Sequence, residues 1–236
     1  MRLIILTTGS VRRRYFVQAL QSSIPVTRVF VETGELIPPF ETFHTLEDQS
    51  KEYEKNRWFN GRSPKFDDIA STEYFRSLND PEAVRAIAAT RPDMMIVFGT
   101  KKLSPSVINI CPLAAFNVHT GDPEQYRGLD AHLWSIYHRD FDLLVVTIQR
   151  LALELDQGEI VAKAPVSITP GMRMYQLRSA STEAITGLFQ QVMAEFQSRG
   201  KLEARPQQTI GRYYSFMPSV LKELCTKRFE KFTSSL

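Results

Sequence analysis

"RLIILTTGSVRRRYFVQAL", residues 2–20, opens the chain, and its reading decides the fold. Leu3 to Leu6 is a short unbroken apolar run, the pattern of a strand buried on both faces. Thr7–Gly9 makes a turn, and Ser10 has the side chain of a helix N-cap. Val11, Phe16, Val17 and Leu20 then follow helical spacing, and "VTRVFVE", 26–32, reads as a second strand. A chain that opens β-α-β predicts an α/β fold: a Rossmann-like, doubly wound, mostly parallel sheet with helices on both faces.

The rest of the chain extends this pattern. Asp80 and Pro81 form a cap-then-Pro helix start, and Ser104 with Pro105 repeats the device. Met94–Phe98, "AAFNVH" (114–119), "LLVVTIQ" (143–149) and "IVAKAPV" (160–166) read as strands, and "LDAHLWSIYH" (129–138) as a helix. Between 172 and 196 the apolar residues keep the spacing of one long amphipathic helix. Residues 33–78 mix Pro, charge and aromatics; they predict a polar helix near 47–57 inside a long excursion of the kind that covers a site. Pro206 breaks the chain afterwards. The expected organisation is an α/β domain over 1–205 and a short tail over 206–236 with one amphipathic helix near 218–231.

Composition narrows the function classes. The 236 residues are 43% hydrophobic and 23% charged, values of a folded globular chain. A net charge of +3 gives no strong electrostatic case for nucleic acid or a membrane, and it suits an anionic small substrate. Cys111 and Cys225 stand alone, which predicts neither a disulfide framework nor a zinc site, and no metal is expected. The opening apolar run is too short for a signal peptide, and no run nears the ~20 residues of a membrane span. The expectation is a soluble cytoplasmic protein, with homo-oligomerisation left open.

The chemistry concentrates in "FNVHTGDPEQYRG", residues 116–128. Asn117 and His119 are two residues apart on a strand, so they share a face. At a strand end they are either a catalytic pair or ordinary boundary residues. Further on, "LDQG", 155–158, places Asp156 in a turn sequence. In order, Asn-x-His at a strand end, a Pro-containing loop closed by Gly128, and Leu-Asp-x-Gly resemble the folate-dependent formyltransferase family. That family includes glycinamide ribonucleotide transformylase, methionyl-tRNA formyltransferase and the sugar N-formyltransferases. The resemblance covers roughly residues 94–166, and the β-α-β opening is consistent with it.

The resemblance implies transfer of a formyl group from 10-formyltetrahydrofolate to a primary amine, with Asn117, His119 and Asp156 as the catalytic set. An amide donor such as Asn117 suits the oxyanion of a tetrahedral intermediate. An imidazole accepts or relays the proton that the attacking nitrogen loses. A carboxylate at Asp156 orients that imidazole, directly or through a water. The family's pterin contacts fall here on Thr100, Lys101, Lys102, Leu103, Leu153, Glu154 and Leu155. On the amine side, Arg12, Gly121, Asp122 and Tyr126 are the candidates. Arg12, Arg13 and Arg14 lie about 100° apart around a helix axis, so one or two of them face any one ligand.

The chain also departs from its relatives. Several read His-x-Ser-Leu-Leu-Pro where this one reads His119-Thr120-Gly121-Asp122-Pro123. "TTGSVRRR" replaces the glycine-rich phosphate signature of the purine enzyme, and the tail is shorter than the C-terminal β-barrel of the tRNA formyltransferases. By elimination the expected acceptor is a small amine, such as an amino sugar, phosphorylated or nucleotide-linked. The alternatives are a formyltetrahydrofolate hydrolase and a non-catalytic folate- or nucleotide-binding module of the same fold.

Overall fold

The computed structural model describes residues 1–236. Its strands are β1 (Leu3–Thr8), β2 (Val26–Glu32), β3 (Thr72–Phe75), β4 (Met94–Phe98), β5 (Ala115–His119), β6 (Tyr126–Gly128), β7 (Val145–Arg150), β8 (Ile160–Pro165) and β9 (Arg212–Tyr214). Its helices are α1 (Val11–Gln21), α2 (Thr45–Phe59), α3 (Pro81–Ala89), α4 (Pro105–Ile108), α5 (Ala131–His138), α6 (Met174–Arg199) and α7 (Ser219–Thr233). Seven strands form one sheet in the order β3-β2-β1-β4-β5-β7-β8. The first five run parallel; β7 is antiparallel to both β5 and β8.

The alternation along β1 shows why both faces need helices. Leu3 and Ile5 enter one apolar core with residues of α1, α5, α6 and α7, while Ile4 and Leu6 enter the other with Ile87 of α3 and Val107 of α4. All four are fully buried. Each such side chain contributes about 1.5–3 kcal/mol of burial energy, so a polar substitution in β1 exposes or strands a large term. Ser10 caps α1 by accepting from the Arg13 N–H. Thus α1 starts at the carboxyl end of β1, where open α/β sheets bind ligands.

Residues 33–78, the least legible stretch, hold α2, a 3-10 turn at Phe66–Asp68 and the edge strand β3. His44 caps α2, and Glu47 returns the bond to the His44 N–H. Glu54 of α2, fully buried, takes a bidentate bond from Arg178 of α6 at 2.6 and 3.0 Å, which ties the excursion to the long helix. Met217, Cys225 and Phe229 from the last thirty-one residues lie in the same core as β1, where burial pushes the Cys225 thiol up to about 12. β6 and β9 pair in parallel away from the main sheet and fasten the loop after β5 to the segment before α7.

Candidate active site

β5 ends near the middle of the sheet, between β4 and β7, and delivers Asn117 and His119 to its carboxyl end. In the antiparallel pair with β7, Gln149 lies opposite Asn117 and Thr147 opposite His119. Asp156 sits in the turn between β7 and β8 with a left-handed φ of 54°, a conformation that Asp and Asn tolerate better than most residues.

These groups meet on the Asp156 carboxylate. Its Oδ1 accepts from Asn117 Nδ2 and Gln149 Nε2, each at 3.0 Å, and its Oδ2 accepts from the Gly128 N–H at 2.8 Å. His119 Nδ1 stands 3.5 Å from Oδ1, with both side chains buried. The other ring nitrogen, Nε2, is 2.8 Å from the Tyr126 carbonyl oxygen. A carbonyl only accepts, so Nε2 carries the hydrogen and Nδ1 is the nitrogen left to exchange a proton. The Asn117 amide commits one N–H to Asp156, which fixes its orientation and leaves the second N–H for a ligand.

Two glycines are required by this geometry. A Cβ at Gly121 would meet His119 Nε2 at 2.9 Å and Ala131 Cβ at 2.7 Å. Gly128 has a φ of +89°, and a Cβ there would meet the Tyr214 carbonyl oxygen at 2.2 Å. The sequence reading missed two residues of the site, Gln149 and Gln207. Gln207 Nε2 is 2.8 Å from the Asp156 carbonyl, 2.9 Å from that of Gly158 and 3.2 Å from Gln149 Oε1, so it braces the turn that carries Asp156. A Gln ending the apolar run of β7 was a readable signal; Gln207 offered none locally.

Members of the set line two cavities, and a third adjoins one of them. A narrow cleft of about 50 Å³ is lined by Asn117, Gln149 and Asp156 together with Thr100, Lys101, Lys102, Leu103, Glu154 and Leu155. Leu153 stands outside that lining, 53% exposed. The N–H groups of 152–155 take no acceptor within the chain, so they are free for the edge of a heterocycle. The volume suits one or two waters rather than a fused bicycle. Lys102 and Glu154 pair across the two lips at 3.1 Å, both more than half exposed, so separating the lips costs little.

On the other side of His119 lies a cavity of about 710 Å³, which Arg12, Arg13, Arg14, Lys65 and Lys101 line against Glu32, Glu35 and Asp130. An inner cavity of about 210 Å³ adjoins it, lined in part by Arg12, Thr120, Asp130, His132 and Arg178. His132 is bonded to the Val145 carbonyl and Ser181, and burial pulls its pKa down to about 4.

Asp122 and Tyr126 line none of these three spaces. The sequence reading set both side chains toward the amine. Asp122 instead takes Lys163 Nζ at 2.7 and 2.8 Å, and the Tyr126 hydroxyl donates to Asp140. Tyr126 reaches the site only through its carbonyl, and Gly121 through the space it leaves for His119. Trp134 donates to the Ser215 carbonyl and stacks on Tyr214.

The family model "Formyl transferase" matches residues 1–193. A methionyl-tRNA formyltransferase of Chloroflexus aggregans is 28% identical over 172 residues, covering 67% of this chain and 55% of that protein. The chain spans about half the length of the curated relatives it matches. Among solved structures, a sugar N-formyltransferase from a Shewanella species aligns with a TM-score of 0.62 at 13% identity, covering 97% of this chain and 88% of that one. A formyltransferase of Anoxybacillus kamchatkensis, solved with a UDP-linked formamido sugar and tetrahydrofolate, aligns with a TM-score of 0.56 at 18% identity, covering 90% of this chain and 85% of that one. At these identities the two structures establish a shared fold.

Proposed function

The chain belongs to the formyl transferase family, and from that premise we propose that it moves the formyl group of 10-formyltetrahydrofolate onto the nitrogen of a small primary amine. The observation that carries the reading is the convergence of Asn117, His119, Gln149 and the Gly128 N–H on one buried carboxylate, Asp156. A binding module has no need to hold an imidazole with one nitrogen free of a hydrogen bond beside a carboxylate.

Bound in the cleft between 100–103 and 152–156, the folate supplies an activated formyl carbonyl. The protein does the rest. The free N–H of Asn117 faces the carbonyl oxygen as it gains charge, a contact of the kind worth about 3 kcal/mol of barrier. His119 Nδ1 takes the proton that the attacking nitrogen sheds. The imidazolium so formed is paired with Asp156, and it returns the proton to the departing folate nitrogen. The products are a formamide and tetrahydrofolate, and no atom is left over. The acceptor enters from the cation-lined cavity on the far side of His119. That cavity is large enough for an amino sugar linked to a nucleotide, the acceptor this reading favours, and its charge supports a phosphorylated one.

The test is to incubate the protein with 10-formyltetrahydrofolate and a panel of primary amines and to follow formamide by mass spectrometry. The expected result is a formylated product with release of tetrahydrofolate in equal amount. Formate release that needs no amine makes the protein a hydrolase, and folate binding without turnover on any amine makes it a binding module.

A further inference from the structure

β6 is three residues long, and each residue bonds a different part of the site. The Tyr126 carbonyl holds His119 Nε2, and the Gly128 N–H holds Asp156 Oδ2. Arg127, between them, reaches the turn that carries Asp156. Its Nη1 and Nη2 donate to Gln157 Oε1 at 3.1 and 3.3 Å, with the Gln157 amide presenting its oxygen, the orientation that satisfies both ends of that amide. The Arg127 Nε is buried without a partner, and Arg127 lines none of the three cavities. Drawing a guanidinium out of water to hold one neutral amide is costly. Its planar fork gives in return a fixed angle between two N–H groups.

The separation at stake is a sensitive one. His119 Nδ1 stands 3.5 Å from Asp156 Oδ1, just beyond hydrogen-bond range. The imidazole is tied to β6 through Tyr126 and the carboxylate through Gly128, so this one strand sets both. β6 is fastened on its own side by pairing with β9, where the Tyr213 ring lies against Gly128. The Asp156 turn is fastened on the other side by Gln207. Two links join these braced pieces. One is the Gly128 N–H on the carboxylate itself; the other, Arg127 on Gln157, is made by side chains at both ends. With the second link gone, the turn pivots relative to β6 on a single hydrogen bond. Shifts of about 1 Å are enough to disturb a proton transfer.

We propose that Arg127 is a positioning residue: its clasp on Gln157 fixes the Asp156 turn to β6 and thereby sets the spacing of the His119–Asp156 pair. The assignment rests on the formyl-transfer reading, in which that pair handles the proton, and adds to it a residue that touches neither substrate. It also gives the segment 207–214 a part in the chemistry, since Gln207 and β9 brace the two pieces that Arg127 joins.

The test uses the full chain and two readouts, one of which needs no turnover. In nitrogen NMR of histidine-labelled protein, the His119 ring signals, assigned with His119→Gln, should shift in Arg127→Met and in Gln157→Ala. Those of the other three histidines should stay in place. With 10-formyltetrahydrofolate and the best amine of the panel above, each variant should lower kcat about tenfold while both KM values stay within about twofold. The double variant should be no slower than the slower single one, because the same link is lost each time. Arg127→Lys, which can still donate to Gln157, should run about threefold faster than Arg127→Met. Gln157→Ala alters a turn side chain alone and decides the matter if Arg127→Met fails to fold. Unmoved His119 signals, a kcat within about threefold of wild type, or multiplying losses in the double variant overturn the assignment and leave formyl transfer standing. A raised KM with kcat unchanged also overturns it, and moves Arg127 to substrate binding. Absence of product from every amine overturns formyl transfer, and the histidine signals then still decide whether Arg127 sets the pair.

Discussion

Two buried carboxylate clusters are tied to the loop after β5, and they are satisfied in opposite ways. Asp156 receives neutral donors: two side-chain amides and a backbone N–H, with His119 alongside. Asp122 and Glu124 receive cations. Lys163 Nζ bridges both, and Arg205 takes Glu124 in a bidentate pair at 2.9 and 2.7 Å. Neutral donors orient a carboxylate without bringing a compensating charge, so on the proposed reading Asp156 is the counter-ion for His119. Lysine and arginine do bring one, so the second cluster serves as a clamp between the loop after β5, β8 and the segment before β9. On the proposed reading the same residue type is machinery in one place and fastening in the other, and the partners decide which.

The sharpest way to break that comparison is Asp156→Asn. The shape is nearly kept while the charge is lost, and at least one of the three donors loses its acceptor. We expect kcat to fall about 10³-fold, the range of a lost general-base partner. A variant within tenfold of wild type would show that the charge is not needed. Lys163→Met is the counterpart. It leaves Asp122 buried without its cation, and we expect a loss of about 2 kcal/mol, between the values of exposed and fully buried pairs. Denaturant unfolding measures it, and kcat should stay within about threefold. A 10²-fold loss of kcat there would move the clamp into the active site.

Legibility followed the range of the interactions. β1, α1, β2, α3, β4, α4 and β5 are readable because apolar runs, caps and Pro at the first helical position act within a few residues. That Asn117, His119 and Asp156 come together is legible as an ordered motif, although the motif says nothing of which ring nitrogen carries the hydrogen. That depends on the Tyr126 carbonyl. The β6–β9 ribbon was not readable, since three-residue strands carry no periodicity and their pairing joins Tyr126 to Arg212. Asp122 was misplaced for a related reason. A loop carboxylate beside a candidate catalytic His looks like a substrate contact until Lys163, two strands away across the sheet, is brought beneath it. Gln207 is the extreme case, a tail residue whose partners all lie about fifty positions earlier.

Gln207→Ala tests how far the Asp156 cluster depends on that distant brace. The carboxylate keeps its direct donors, but its turn loses two contacts and Gln149 one. We expect kcat about tenfold lower, near 1.4 kcal/mol of barrier, with the KM for amine unchanged. A change in KM alone would place Gln207 with substrate binding instead.

The smallest effect distinguishes the clusters by pH. The Arg205 bond, with help from Lys163 and the Gln208 N–H, holds the Glu124 carboxyl far below the usual carboxylate range. An unfolded Glu titrates near ~4.3. The folded state therefore binds fewer protons than the unfolded one below that pH. Glu124 contributes its stability fully above about pH 4.3 and loses it as pH falls through the depressed folded value. Glu124→Gln should flatten the decline of unfolding free energy between about pH 4.3 and pH 2.5, while the pH dependence of kcat above pH 6 stays that of wild type. If the variant instead shifts the kcat profile, the clamp is electrically coupled to His119, and the separation between fastening and machinery fails.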